Sequence, residues 1–118
     1  MDKDTDKLKK QIVEDLKLVN QTFDFEKLYQ TYLKCKTLIA KEPFFFIENW
    51  LKSLLQNDEL LIVNGLFALL YFDIDDFDKA KQFAHEASKS FPDTETWEKI
   101  IEASIWFDFS QQDFFKPL

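Results

Sequence analysis

The 118-residue chain contains no arginine, and all fifteen of its basic residues are lysines. Arginine supplies the bidentate contacts that hold phosphates and guanine edges, so an acidic chain without it is a poor nucleic-acid binder. The formal net charge of −7 also opposes binding to anionic membrane surfaces. We therefore expect no nucleic-acid partner.

Long apolar runs and cysteines are also scarce. The longest apolar run, LLIVNGLFALLYF, has thirteen residues, whereas a membrane span needs roughly eighteen or more. No apolar region follows the charged start MDKDTDKLKK, so we expect neither a secretory signal nor membrane insertion. The single cysteine, Cys35, cannot form an internal disulfide, which favours a reducing compartment. These features predict a cytoplasmic protein.

Catalytic and metal-binding residue sets are missing from the sequence as well. A lone cysteine such as Cys35 within a helical apolar pattern is typical of a core position. The only histidine, His85, is predicted to lie on the surface. There is no phosphate-binding glycine loop, so we expect no enzyme activity and no cofactor. Asp73, Asp75 and Asp76 suggest a calcium loop, but an EF-hand frame would place Asp78 and Ala84 where it needs Gly and Glu. A solvated turn is the simpler interpretation, and no metal is expected.

The chain has only one glycine and three prolines, so it has few of the turn-forming residues that a β-protein needs. Apolar residues instead recur at spacings of three and four, as on one face of a helix. They predict helices over residues 4–19, 25–39, 58–72 and 77–91, and along the segment ETWEKIIEASIWF. A further helix is predicted to have Pro43 in its first turn and to carry Phe46 on its apolar face. Ser110 and Asp113 resemble a capping box for a short last helix. The fold predicted is all-α, with antiparallel helical hairpins in a single domain, residues 1–118.

The segment DDFDKAKQFAHEASKSFP shows the clearest helical pattern. Its apolar stripe has small side chains in the middle and consists of Phe77, Ala80, Ala84, Ala87 and Phe91. Aspartates at its start suit the positive end of the helix dipole, and Pro92 ends it. Alanines in a buried stripe let a neighbouring helix approach closely.

Residues 61–92 resemble a tetratricopeptide repeat, a helix-turn-helix unit with small residues where its helices cross. The small, aromatic and proline positions of that pattern hold Ala68, Tyr71, Ala80, Ala87 and Pro92. The chain departs from the pattern at Asn64, which replaces an early Trp, and at Asp75, which replaces the glycine of the turn. The resemblance implies a short tetratricopeptide-like solenoid.

A narrower resemblance begins with IENWL, continues through this repeat and ends with FPDTETW. The order and spacing, over about residues 44–109, are similar to the needle-subunit chaperones of bacterial type III secretion, the YscG/PscG type. The resemblance implies a bacterial cytoplasmic chaperone that pairs with a small helical co-chaperone. Its concave face would hold the amphipathic C-terminal helix of the needle subunit and prevent premature polymerisation.

The expected binding groove is apolar. Its candidate residues lie on the inner side of the repeat and on the helix that follows: Ile62, Gly65, Leu69, Phe72, Trp97 and Ile101. The first helix offers a possible co-chaperone face at Leu8, Ile12 and Leu16.

Two alternatives remain open at this point. The residues assigned to the groove could instead complete the core, because an all-apolar helix is more often buried than exposed. The protein could also be a tetratricopeptide adaptor that binds the helix or tail of another protein. Adaptors that clamp a terminal carboxylate need paired polar groups, and the inner positions here provide none.

Overall fold

The computed structural model describes residues 3–91 and 95–110, and over these ranges the chain is helical without any strand. The helices are α1 (Lys3–Thr22), α2 (Phe25–Ile39), α3 (Phe44–Leu54), a short 3₁₀ helix (Asp58–Leu60), α4 (Val63–Asp73), α5 (Phe77–Ser90) and α6 (Glu95–Ser110). The all-α class predicted from the sequence is confirmed. The predicted capping box at Ser110 and Asp113 involves a residue outside the described ranges.

The chain divides within α4 into two compact units, Met1–Leu66 and Phe67–Leu118. The first unit contains α1, α2, α3, the 3₁₀ helix and the first turn of α4. The second contains the rest of α4 with α5 and α6. The single domain expected from the chain length stays a prediction.

In the first unit, α1 packs against α2. Helix α1 runs to Thr22, three residues beyond its predicted end, because the break falls at Phe23, whose φ of 41° is left-handed. The Asp24 carboxylate then caps α2 by accepting hydrogen bonds from the Glu26 and Lys27 backbone amides. A 2.5 Å ion pair between Lys34 Nζ and Asp15 Oδ2 links the two helices. The α1–α2 pair is therefore a helical hairpin with a defined turn.

Two other predicted helix boundaries were also wrong. Pro43 was expected in the first turn of α3, but it precedes the helix as its N-cap, with extended ψ of 139°. The helix expected over residues 58–72 is interrupted after the 3₁₀ helix, which the Asn57 side chain caps through the Glu59 amide. The side-chain oxygen of Asn20 accepts a 2.9 Å hydrogen bond from the Ile62 amide, next to the start of α4. This bond ties the end of α1 to the start of α4.

In the second unit, α4 ends in a Schellman motif. The Asp76 amide donates to the Tyr71 carbonyl at 2.9 Å, and the Asp75 amide donates to the Phe72 carbonyl at 3.2 Å. Asp75 has a left-handed φ of 66°, the conformation that glycine adopts most easily. The Asp76 side chain then caps α5 by accepting from the Lys79 amide. One short turn thus ends α4 and starts α5.

Helices α5 and α6 pack against each other within this unit. The alanine stripe predicted for α5 is confirmed as buried, since Phe77, Ala80, Ala84 and Ala87 all face the interior. Phe91, the last member of the predicted stripe, is only partly buried and serves as the C-cap. Within the part of the chain that the structure covers, no helix is both long and apolar enough to cross a membrane.

Candidate functional site

The residues predicted to line the groove differ in how much of them is accessible. Ile62, Gly65 and Trp97 are buried, the first and last of them completely. Leu69, Phe72 and Ile101 are partly exposed. All three of these exposed candidates belong to the second unit. They are the members of the predicted groove that a partner can reach in this conformation.

Leu69 and Phe72 lie three residues apart on α4 and therefore share one face of the helix. The Phe72 ring stands edge-on against the Phe77 ring, with centroids 5.2 Å apart and planes at 86°. Its backbone carbonyl is held by the Asp75 amide in the turn that ends α4. The orientation of Phe72 is thus set by ring packing and by the Schellman motif.

An aromatic cluster on α4 and α5 supports the same region of the second unit. The Phe83 ring lies 4.7 Å from the Phe67 ring and 5.4 Å from the Tyr71 ring, measured between centroids. Phe67 and Tyr71 stack on each other at 5.5 Å, one helical turn apart. The Lys79 ammonium lies over the Tyr71 ring at 5.3 Å. These ring contacts pack α5 against α4.

The predicted co-chaperone face on α1 is mostly covered by the chain itself. Ile12 and Leu16 have no exposed surface, whereas Leu8 is partly exposed. The two buried side chains contribute to the core of the first unit. A partner that meets α1 in this conformation would reach Leu8 and the polar side chains around it.

Sequence reasoning missed several large apolar side chains that are exposed on the first unit. They are Leu18, Tyr29, Leu33, Phe45 and Phe46, with Phe45 and Phe46 exposed by 63% and 59%. Phe46, which the sequence places on the apolar face of α3, is therefore exposed. The available signal was the run Phe44-Phe45-Phe46, because three successive residues point in three directions on a helix and cannot share one buried face.

Two of the residues considered for chemistry, Cys35 and Asp76, have structural roles in the fold. Cys35 is fully buried, and desolvation raises the pKa of its thiol to about 12, so the thiolate that acts as a nucleophile does not form near neutral pH. His85 is exposed on α5, as expected. Asp76 is engaged in capping α5. Across residues 3–91 and 95–110, no three His, Cys, Asp or Glu side chains are arranged to hold a metal ion.

Comparison with known proteins gives no match to a protein-family model, to a curated protein or to a solved structure. The resemblance to tetratricopeptide chaperones therefore depends on the residues quoted from the sequence.

Proposed function

We propose that this protein is a bacterial cytoplasmic chaperone of type III secretion that binds the amphipathic C-terminal helix of a needle subunit. A small helical co-chaperone would complete the complex and keep the subunit from polymerising. The observation that carries the proposal is the partly exposed apolar pair Leu69 and Phe72 on α4. An apolar strip of this kind suits the apolar face of an amphipathic helix.

The tetratricopeptide-like arrangement belongs to this proposal, and the turn between α4 and α5 supports it. Asp75 stands where the repeat pattern has glycine, and its backbone has the left-handed φ that favours glycine. The small residues of the pattern on α5, Ala80 and Ala87, are buried. A hairpin with these features is compatible with a repeat unit whose α4 presents an inner face to a ligand.

Leu69 is the residue on which the binding proposal can be tested. Leu69→Asp places a charge against the apolar face of the bound helix, and loss of such an anchor costs about 2 to 4 kcal/mol of binding free energy. That loss corresponds to roughly 30-fold to 1,000-fold weaker affinity. Folding should survive, because the side chain at this position already reaches water.

The experiment titrates the purified protein, with its co-chaperone, against C-terminal helical peptides of bacterial needle subunits, and follows full-length subunit polymerisation by light scattering. Leu33→Asp is the matched control, since Leu33 is 45% exposed on α2 and lies outside the proposed groove. We expect Leu69→Asp to lose binding and Leu33→Asp to retain it. If Leu69→Asp unfolds the protein, Leu69 is a core residue. If both variants bind normally, α4 does not form the groove.

The adaptor alternative gives a different result in the same assay. An adaptor would not delay polymerisation of a needle subunit at any concentration, with or without the co-chaperone. Its ligand would be a helix or tail from another protein, and the Leu69→Asp defect would then be seen only with that ligand.

A further inference from the structure

The exposed side of α1 forms a basic depression with the neighbouring part of α3. It is lined by Lys9, Lys10, Val13, Glu14, Lys17 and Trp50. All six residues belong to the first unit, and all are described with their side chains. The basic depression is thus a local feature of one compact unit.

The floor of the basic depression is apolar and its indole ring is held in place. Val13 and Trp50 are both partly exposed there. The Lys9 ammonium lies 5.5 Å from the centroid of the Trp50 ring and also pairs with Glu42 Oε2 at 3.4 Å. Lys9 is therefore engaged with the protein itself, while the open part of the indole surface faces solvent. A partly exposed Trp in a fixed orientation is a frequent anchor point of protein interfaces.

The rim of the basic depression carries two exposed lysines, Lys10 and Lys17, with Glu14 one helical turn from each of them. Lys10 and Lys17 are exposed, and within the described part of the chain neither forms an ion pair or side-chain hydrogen bond. They lie seven residues apart on α1, which is about 10.5 Å along the helix axis. The nearby Asp15 carboxylate is paired with Lys34 on α2. Because Lys9 is paired with Glu42, the net charge of the lining comes from Lys10, Lys17 and Glu14 and is +1, although the whole chain has a net charge of −7.

We propose that the basic depression binds an acidic amphipathic helix of a partner protein. An apolar side chain of the partner would cover Trp50 and Val13, and two carboxylates spaced by two helical turns would meet Lys10 and Lys17. Charge complementarity selects the acidic sequence, and the apolar floor selects a helix with an apolar side chain over a simple anion. The absence of arginine disfavours a nucleic acid at the same place. This second interface does not depend on the chaperone proposal, which uses α4.

The direct test uses a defined probe. It is a blocked, fluorescently labelled helical peptide of about 16 residues, long enough to form a helix on binding, with two Glu residues seven apart and Leu between them. Its twin carries Gln in place of both Glu residues. We expect the Glu peptide to bind at least about tenfold more tightly in fluorescence anisotropy at low ionic strength. The difference should shrink as salt rises, since salt screens charge pairs at an exposed rim.

Variants of the protein locate the binding. Lys10→Glu/Lys17→Glu should weaken binding of the Glu peptide by roughly tenfold or more, because two attractions become repulsions. Lys41→Glu/Lys52→Glu is the matched control, since both lysines are exposed on the first unit and the net charge changes equally. Trp50→Ala should also weaken binding by about tenfold or more. The exposed lysine variants keep the test valid if Trp50→Ala fails to fold.

The other outcomes overturn the proposal. Equal binding of the Glu and Gln peptides would mean that charge is not recognised. Equal loss in both lysine double variants would mean that only net charge matters. A labelled single-stranded oligonucleotide that binds more tightly than the peptide, and depends on Lys10 and Lys17, would assign the basic depression to nucleic acid. Absence of peptide binding at low salt would also refute the proposal.

Discussion

The left-handed residue in the turn between α4 and α5 allows a sharp test of the structure. Asp75 has a φ of 66° and occupies the position of the Schellman motif at which glycine is most common. A residue with a Cβ atom loses roughly 1 to 2 kcal/mol in this conformation relative to glycine, although Asp and Asn tolerate it better than others. We therefore expect Asp75→Gly to stabilise the protein.

The magnitude follows from the place of Asp between Gly and Ala. If Ala lies about 1 to 2 kcal/mol above Gly at this position, Asp lies partway between them. The free energy of unfolding should therefore rise by about 0.5 to 1 kcal/mol in Asp75→Gly and fall by a similar amount in Asp75→Ala. Asp75→Asn keeps the tolerance for a left-handed φ and removes the carboxylate from the C-terminal end of α4, where the helix dipole disfavours it. Its stability should lie between those of the original protein and Asp75→Gly.

The assay is reversible urea unfolding at pH 7, followed by far-UV circular dichroism, with melting temperatures as a second measure. A gain of 0.5 to 1 kcal/mol corresponds to a rise of roughly 2 to 5 °C for a protein of this size. Asp78→Gly is the matched control, because Asp78 lies in the first turn of α5 and is exposed. There glycine should lower stability by about 1 kcal/mol, since it weakens the helix and removes a favourable charge. If Asp75→Gly is destabilising like Asp78→Gly, the left-handed turn is wrong.

Two further predictions concern buried positions. Ala84→Leu should lower the free energy of unfolding by about 1 to 3 kcal/mol, because Ala84 is fully buried on α5, whereas Ala40→Leu at the exposed C-cap of α2 should change it little in the same urea assay. An unchanged midpoint for Ala84→Leu would mean that the alanine stripe is not tightly packed. Burial raises the pKa of the Cys35 thiol from 9.0 to about 12. The contribution of the neutral, buried thiol to the free energy of unfolding is therefore fully present below pH 9 and is lost as the pH rises from 9 to 12. The original protein should therefore lose about 1 kcal/mol of stability between pH 7 and pH 10 that Cys35→Ala does not lose, as measured by unfolding at the two pH values. A pH-independent difference between the two proteins would contradict the burial of the thiol.

The amphipathic helices were predictable because one face of each is polar. The buried stripe of α5 could be identified from the spacing of Ala80, Ala84 and Ala87, since each of these lies about one turn from the next. Apolar periodicity alone could not place the start of α4, because residues 58–72 are apolar on nearly every side. Before that boundary lies the 3₁₀ helix that Asn57 caps, and next to it is the hydrogen bond between Asn20 and Ile62, which are distant in sequence.

The candidate site was less predictable than the fold. Periodicity assigns a residue to a helix face, but the neighbouring elements decide whether that face is covered. Among the residues predicted to line the groove, Trp97 and Ile62 are completely buried. Leu69, which lies on the same apolar helix as Val63, stays partly exposed. The Lys9 contact with Trp50, which shapes the basic depression, joins residues that no local pattern connects. Such contacts arise from tertiary packing and are not encoded in the spacing of residues along one helix.

The hydrogen bond between Asn20 and Ile62 also has a consequence for how the chain folds as it is synthesised. It joins residues 42 positions apart, whereas the α1–α2 hairpin needs only neighbouring segments. On a ribosome α1 and α2 can therefore pair first, while the side-chain amide of Asn20 is still in water, because local contacts form before distant ones. The first unit acquires this hydrogen bond only after Ile62 has left the exit tunnel. A nascent chain that stalls before that point would contain the α1–α2 hairpin but lack the bond that positions the start of α4.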